Sequence, residues 1–142
     1  MNIEKVVVIG SGTMGSGIAA HLCNANIPVT LLDLKTEISE KARDRIHKSK
    51  PPLLLDRSKI DNIKVGNITD NFDVVKDADW IVEAVVERID IKHQIYEKIF
   101  KVRKNGAIVS SNTSSIPIKV LSQHLTDTEK KDFCITHFFN PV

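Results

Sequence analysis

Gly10, Gly12 and Gly15 stand at the spacing G-x-G-x-x-G directly after the apolar run Val6-Val7-Val8-Ile9, and Asp33 ends the next apolar run. Each glycine has its own task in a dinucleotide site. Gly10 lets the chain turn sharply, Gly12 lets the backbone approach a pyrophosphate, and Gly15 lets the following helix lie close on the sheet. The N-terminus of that helix offers unpaired N–H groups and the positive end of a dipole to phosphate. An acid roughly 20 residues beyond such a loop accepts hydrogen bonds from the adenosine ribose, which is the position of Asp33. A carboxylate there prefers the free 2′-hydroxyl of NAD and repels the 2′-phosphate of NADP, a repulsion that Lys35 could soften. A glycine loop alone is weak evidence, but strand, loop, helix and acid in this order predict NAD as the cofactor.

A second group of polar residues gathers after later apolar runs: Glu83 and Glu87, then Ser111-Asn112-Thr113-Ser114-Ser115, then His137 with Asn140. A histidine at such a place can take a hydroxyl proton while a hydride leaves the same carbon, because its ordinary pKa of about 6.5 allows exchange in either direction near neutrality. A neighbouring serine hydroxyl could hold the reacting oxygen. His21, His47, His93 and His124 fall on helix surfaces or helix ends, where a histidine needs no function. Cys23 and Cys134 sit in apolar surroundings and are expected as buried thiols, with no disulfide and no metal site.

These residues need elements to position them. Lys5–Ile9 reads as a strand, Ile18, Ala19, Leu22 and Ala25 as a helix closed by Asn26-Ile27-Pro28, and Val29–Asp33 as a second strand, which makes one βαβ unit. Thr36 is placed to cap a helix that ends before Pro51-Pro52. Leu53–Asn62 carries no readable pattern. Strands are expected at Ile63–Val65, Trp80–Val85, Ala107–Ser110 and Phe133–His137, with a helix over Asp90–Val102, a short one over Pro117–Gln123, a polar turn at Gly66–Asn71 and a charged loop at Thr126–Asp132. Strands that are continuous apolar runs and alternate with helices predict an α/β fold: a Rossmann-type, doubly wound, mainly parallel sheet with helices on both faces. Ligands of such sheets bind beyond the carboxyl ends of the strands, where the polar groups above would converge.

The chain has 142 residues, a size suited to one domain, and its 42% hydrophobic and 27% charged residues suit a folded soluble protein. Lys and Arg are interleaved with acids, leaving a formal charge of only +2, which argues against a nucleic-acid partner. No apolar run approaches the ~18 residues of a membrane helix, and no secretory leader is visible, so a cytoplasmic location is expected.

Taken together, Gly10-Ser11-Gly12-Thr13-Met14-Gly15-Ser16-Gly17-Ile18-Ala19, Glu83-Ala84-Val85-Val86-Glu87, Ser111-Asn112-Thr113-Ser114-Ser115 and His137-Phe138-Phe139-Asn140-Pro141 resemble the NAD-binding domain of 3-hydroxyacyl-CoA dehydrogenases, in the family's order. The wording of Ser49-Lys50-Pro51-Pro52 and Asp79-Trp80-Ile81-Val82-Glu83 is most similar to bacterial members in which the dehydrogenase is joined to an enoyl-CoA hydratase. The resemblance implies oxidation of a 3-hydroxyacyl-CoA to the 3-ketoacyl-CoA, a step of fatty-acid β-oxidation. It implies that His137 is the acid/base and that Ser114 contacts the substrate oxygen. Gly10, Gly12, Thr13, Met14, Gly15, Asp33, Glu87, Lys92 and Asn140 are implied on the cofactor side.

Two features of the family lie outside these 142 residues: a glutamate downstream that orients the histidine, and a helical second domain that closes the acyl-CoA site and forms the dimer. The chain by itself is therefore expected to bind NAD and to turn over weakly or not at all. An alternative is a non-catalytic NAD-binding or interaction module. A dehydrogenase of short β-hydroxyacids shares the glycine loop, but the His-Phe-Phe-Asn-Pro block argues against it. Phe138, Phe139 and Val142 are expected to form an exposed apolar patch that invites homo-oligomers.

Overall fold

The computed structural model describes residues 2–142. Six strands, β1 (Val6–Ile9), β2 (Val29–Asp33), β3 (Ile63–Asn67), β4 (Trp80–Glu83), β5 (Ile108–Ser111) and β6 (Phe133–Ile135), form one sheet in the order β3-β2-β1-β4-β5-β6. Every neighbouring pair is parallel. Helices α1 (Thr13–Asn24), α2 (Thr36–Lys48), α3 (Ile89–Val102), α4 (Ile118–Leu121) and α5 (Asp127–Lys130) connect them, with 3₁₀ turns at Arg57–Asn62 and Phe72–Asp77.

The central strand explains why its sequence is a continuous β-branched run. Val6 and Val8 pack with Ile18, Leu22 and Ile46 from α1 and α2. Val7 and Ile9 pack with Ile95, Ile99 and Leu121 from α3 and α4 on the other face. Successive side chains of a strand point to opposite faces, so a strand with helices on both sides must be apolar at every position. Each such buried side chain contributes roughly 1.5–3 kcal/mol of transfer free energy.

Strand order reverses between β1 and β4, where two strands that are distant in sequence lie side by side with Ile9 opposite Glu83. A crevice opens beyond the carboxyl ends at such a switch point. β4 stops at Glu83 instead of continuing to Val85, because the next residues leave the ladder: the Val85 N–H donates to the Glu83 carboxylate at 2.9 Å, and Ala84 lies against Gly10. β6 likewise ends at Ile135, although the Thr136 N–H still donates to the Ser111 carbonyl at 2.9 Å.

Thr36 does not cap α2. The cap position is Lys35, and the Thr36 hydroxyl accepts from the Asn67 side chain at 2.9 Å instead. The charged stretch after Leu125 contains α5, a single turn held by a capping box in which Thr126 and Glu129 each bond the other's backbone. That Thr-x-x-Glu spacing was a readable helix signal. The unpatterned Leu53–Asn62 region is tied down by Asn24, whose side chain donates to the Leu53 carbonyl and accepts from the Leu55 N–H, both at 2.9 Å, while Leu54 is buried. Cys23 is buried as expected and Cys134 only half-buried, and both are free thiols. Among the described residues no helix is long and apolar enough to cross a membrane, and no three His, Cys, Asp or Glu side chains group to hold a metal ion.

Candidate functional site

Two cavities lie at the carboxyl edge of the sheet, and the loop leaving β4 forms the ridge between them. The first, about 380 Å³, is lined by Gly10, Gly12, Asp33, Arg45, Ala84 and Val85 among others. The second, about 330 Å³, is lined by Met14, Glu87, Lys92, Ser114, His137 and Asn140 together with the same Ala84 and Val85.

The geometry of the glycine loop follows from close approaches. Gly10 has φ +102°, and a Cβ there would lie 2.4 Å from the Ala84 carbonyl oxygen, so it is barred to side chains by conformation and by space. A Cβ on Gly15 would lie 1.8 Å from the Gly10 carbonyl oxygen, which is how closely α1 rests on the loop. Gly12 differs from both. A Cβ there meets nothing within 4 Å, so its lack of a side chain leaves open space above the backbone. The Ser16 N–H makes the first-turn bond to the Gly12 carbonyl at 2.9 Å. The N–H groups of Thr13, Met14 and Gly15 precede it and have no intrahelical acceptor. Open backbone, a helix N-terminus and free N–H donors are the parts an anionic pyrophosphate requires.

Asp33 stands at the end of β2 with one oxygen committed to the loop: Oδ2 accepts from the Ser11 N–H at 2.7 Å and from its hydroxyl at 2.5 Å. Oδ1 accepts from the Leu34 N–H at 2.7 Å. A carboxylate offers about four lone-pair sites, so acceptor capacity remains toward the cavity. Ser11 was not singled out by the sequence, although its place between two motif glycines is what brings it to Asp33. Arg45 of α2 adds a cation here, donating to the Ser11 carbonyl at 3.2 Å.

In the second cavity the three polar strand ends do converge. Ser114 and His137 are both exposed, on the loops after β5 and β6. Asn112 joins those loops by accepting from the Phe138 N–H at 2.8 Å, a positioning role that the sequence block contained but did not reveal. The His137 ring lies 4.7 Å from the Phe139 ring, centroid to centroid. Asn140 is exposed at the rim, and Met14 reaches the cavity from the first turn of α1. Thr13 lines neither cavity with its side chain; Gly15 is buried and serves packing.

Lys92 lines the second cavity, but its charge is already answered within the protein. It is 1% exposed, and its ammonium lies between Glu83 at 2.7 Å and Glu87 at 3.2 Å. Burial pushes the Glu87 carboxyl up, but hydrogen bonds from Thr113 and Lys92 and the Ser114 N–H outweigh it and hold the group below the usual carboxylate range. Glu83 belongs to the buried interior and not to the cavity wall.

The expected apolar patch is largely absent. Phe138 is half-buried on α1 with its ring 6.3 Å from that of His21, and Val142 packs onto Gly17. Only Phe139 remains open, at 75% exposure. Of the other histidines, His93 donates a ring N–H to the Val120 carbonyl at 2.9 Å, and His47 holds a buried Nδ1 without a partner among the described residues. His124 is exposed and packs its ring edge-on against His93.

Comparison with known proteins fits this geometry. Residues 5–142 match the family model described as 3-hydroxyacyl-CoA dehydrogenase, NAD binding domain. A Rickettsia felis protein named as a fatty acid oxidation complex trifunctional enzyme is 44% identical over 98% of this chain, which spans 20% of that protein. A Deinococcus radiodurans protein named as a 3-hydroxyacyl-CoA dehydrogenase is 40% identical over 99% of this chain, which spans 43% of it. The crystal structure of 3-hydroxybutyryl-CoA dehydrogenase from Escherichia coli superposes with a TM-score of 0.85 at 29% identity, covering 99% of this chain and 30% of that one.

Proposed function

This chain belongs to the 3-hydroxyacyl-CoA dehydrogenase family, matching its NAD-binding domain, and from that membership we propose how its two cavities work together. Residues 1–142 act as one cofactor-binding unit for oxidation of a 3-hydroxyacyl-CoA to the 3-ketoacyl-CoA in fatty-acid β-oxidation. Bound NAD supplies the two-electron acceptor for the carbon that carries the hydroxyl. Asp33 accepts from the adenosine ribose, and its negative charge disfavours a 2′-phosphate. The first turn of α1, with Thr13 and Met14, donates backbone N–H groups to the pyrophosphate over Gly12, while Gly10 and Gly15 hold the loop that makes this possible. Asn140 and Glu87 flank the nicotinamide end, and Lys92 keeps Glu87 in place.

The substrate hydroxyl lies between Ser114 and His137. The Ser114 hydroxyl holds the substrate oxygen, and a neutral His137 ring takes its proton as the carbonyl forms. Proton transfer by a positioned side chain contributes about 10²–10⁴ in rate. One observation supports this reading: the cavity of His137 and Ser114 shares Ala84 and Val85 with the cavity of Gly12 and Asp33, so the two adjoin as the halves of a dinucleotide site would.

A second reading, a non-catalytic NAD-binding module, is favoured by the exposure of His137, whose ring packs against Phe139. An imidazole needs an orienting partner to hold its tautomer. Both readings meet one experiment, calorimetric titration of the 142-residue chain with NAD followed by a turnover assay with a 3-hydroxyacyl-CoA. NAD binding with slow NADH formation that H137Q abolishes is the expected result. Binding with no NADH at all supports the module. A folded sample that does not bind NAD overturns both, and NADH formation indifferent to H137Q removes His137 as the base.

A further inference from the structure

Glu83 has no part in the roles assigned above, yet it is the most heavily bonded carboxylate at this end of the sheet. It is 0% exposed at the end of β4. Its Oε2 accepts from Lys92 at 2.7 Å and from the Val85 N–H at 2.9 Å. Its Oε1 accepts from the Tyr96 hydroxyl at 2.5 Å and the Ser111 hydroxyl at 2.8 Å. A buried carboxylate persists only when its lone pairs and charge are answered in this way.

The donors come from three different elements. Val85 belongs to the ridge between the two cavities, Ser111 ends β5 just before the loop that carries Ser114, and Lys92 and Tyr96 sit one turn apart on α3. Two further contacts extend the reach. Lys92 passes from Glu83 to Glu87, and Glu87 accepts from Thr113 at 2.8 Å, inside the Ser114 loop. The Ser111 hydroxyl that donates to Glu83 also accepts from the Thr113 N–H at 3.2 Å.

We propose that Glu83 is a positioning residue for the cofactor cavity, acting through Lys92 on Glu87 and through Ser111 on the loop that presents Ser114. This rests on the NAD site proposed above. Its chemistry explains why an acid, and not an amide, stands there: a carboxylate accepts from all four donors and carries the charge that answers Lys92, whereas a glutamine has one oxygen to accept with and no charge.

The test is NAD titration of the wild-type chain and of E83Q, K92M, the double variant and Y96F, with thermal unfolding recorded for each. E83Q is expected to weaken NAD binding about tenfold. The double variant is expected to lose less affinity than the two single losses combined, because both remove the same Glu83–Lys92 tie while only E83Q touches the Ser111 route. Y96F removes a donor that lines neither cavity and lies on neither route, and is expected to lower the melting temperature while leaving NAD affinity within about twofold. A merely structural Glu83 would instead give losses of affinity in E83Q and K92M that add, or E83Q affinity equal to wild type, and either result overturns the proposal. If E83Q does not fold, S111A decides, since it removes one tie without stranding a charge: NAD affinity reduced by about threefold or more supports the role, and unchanged affinity overturns it. Failure of the wild-type chain to bind NAD is a different result, which overturns the NAD site and this role with it.

Discussion

Asp33 divides its carboxylate between holding the glycine loop and facing a ligand. Two bonds from Ser11 and one from Leu34 fix its orientation, so its remaining acceptor capacity is already aimed when a ribose arrives. Asp33→Asn is expected to weaken NAD binding by about tenfold, the loss of one hydrogen bond to a charged acceptor. It should also narrow the preference for NAD over NADP, because the repulsion of a 2′-phosphate disappears while Arg45 remains beside the loop. Parallel titrations with both cofactors check this, and an unchanged ratio would remove Asp33 as the discriminating residue. Asp33 and the three glycines were legible in the sequence because their contacts are dictated by one short βαβ unit. Glu83 was read only as a polar group at a strand exit, since nothing local in Trp80-Ile81-Val82-Glu83 announces that Lys92, Tyr96 and Ser111 will close over it.

At the scale of elements, the loop and α1 separate stability from binding. Gly15→Ala sets a methyl 1.8 Å from the Gly10 carbonyl oxygen, so helix and loop must part. Overpacking of this kind costs about 1–3 kcal/mol or more, and a clear fall in melting temperature is expected. Gly12→Ala meets no protein atom within 4 Å and should leave the melting temperature nearly unchanged while abolishing measurable NAD binding, because the methyl occupies the space reserved for pyrophosphate. Thermal unfolding and calorimetry on the two variants separate these effects, and equal effects of both on stability would contradict the assignment. Element positions were readable wherever burial on both faces imposes an apolar run, as in β1 and β2. The ends of β4 and β6 were not, because Glu83 captures the Val85 N–H two residues on and Asn112 captures the Phe138 N–H from another loop, side-chain contacts that the hydrophobic pattern does not display.

At the scale of the whole molecule, the edge of the sheet opposite the cavities is tied by Asp79, which accepts from the Glu4 and Lys5 N–H groups and from Lys104. The hydrogen bond from Lys104, then those from Glu4 and Lys5, hold its carboxyl down at about 2, against an ordinary 3.8. A depressed carboxylate stabilises the fold fully above its unfolded value, and that share is lost as pH falls through its folded value. Asp79→Asn should therefore lower the melting temperature at pH 6, with the gap to wild type closing between about pH 4 and pH 2. Melts across that window check it; a gap that persists at pH 2 would place the contribution elsewhere. The sequence by itself determined the parallel α/β architecture, the glycine loop, the acid that follows it and the blocks that mark the family. All of these arise from chain-local constraints: hydrophobic period, backbone conformations open only to glycine, and fixed spacing along one βαβ unit. Only the tertiary structure decided that Glu83 is interior, that Lys92 is spent on two carboxylates, that Phe138 and Val142 fold onto α1, and that the Ala84–Val85 ridge joins two cavities. Those outcomes depend on which side chains meet across loops, helices and the β1–β4 switch point, and such contacts leave no local period for the sequence to display.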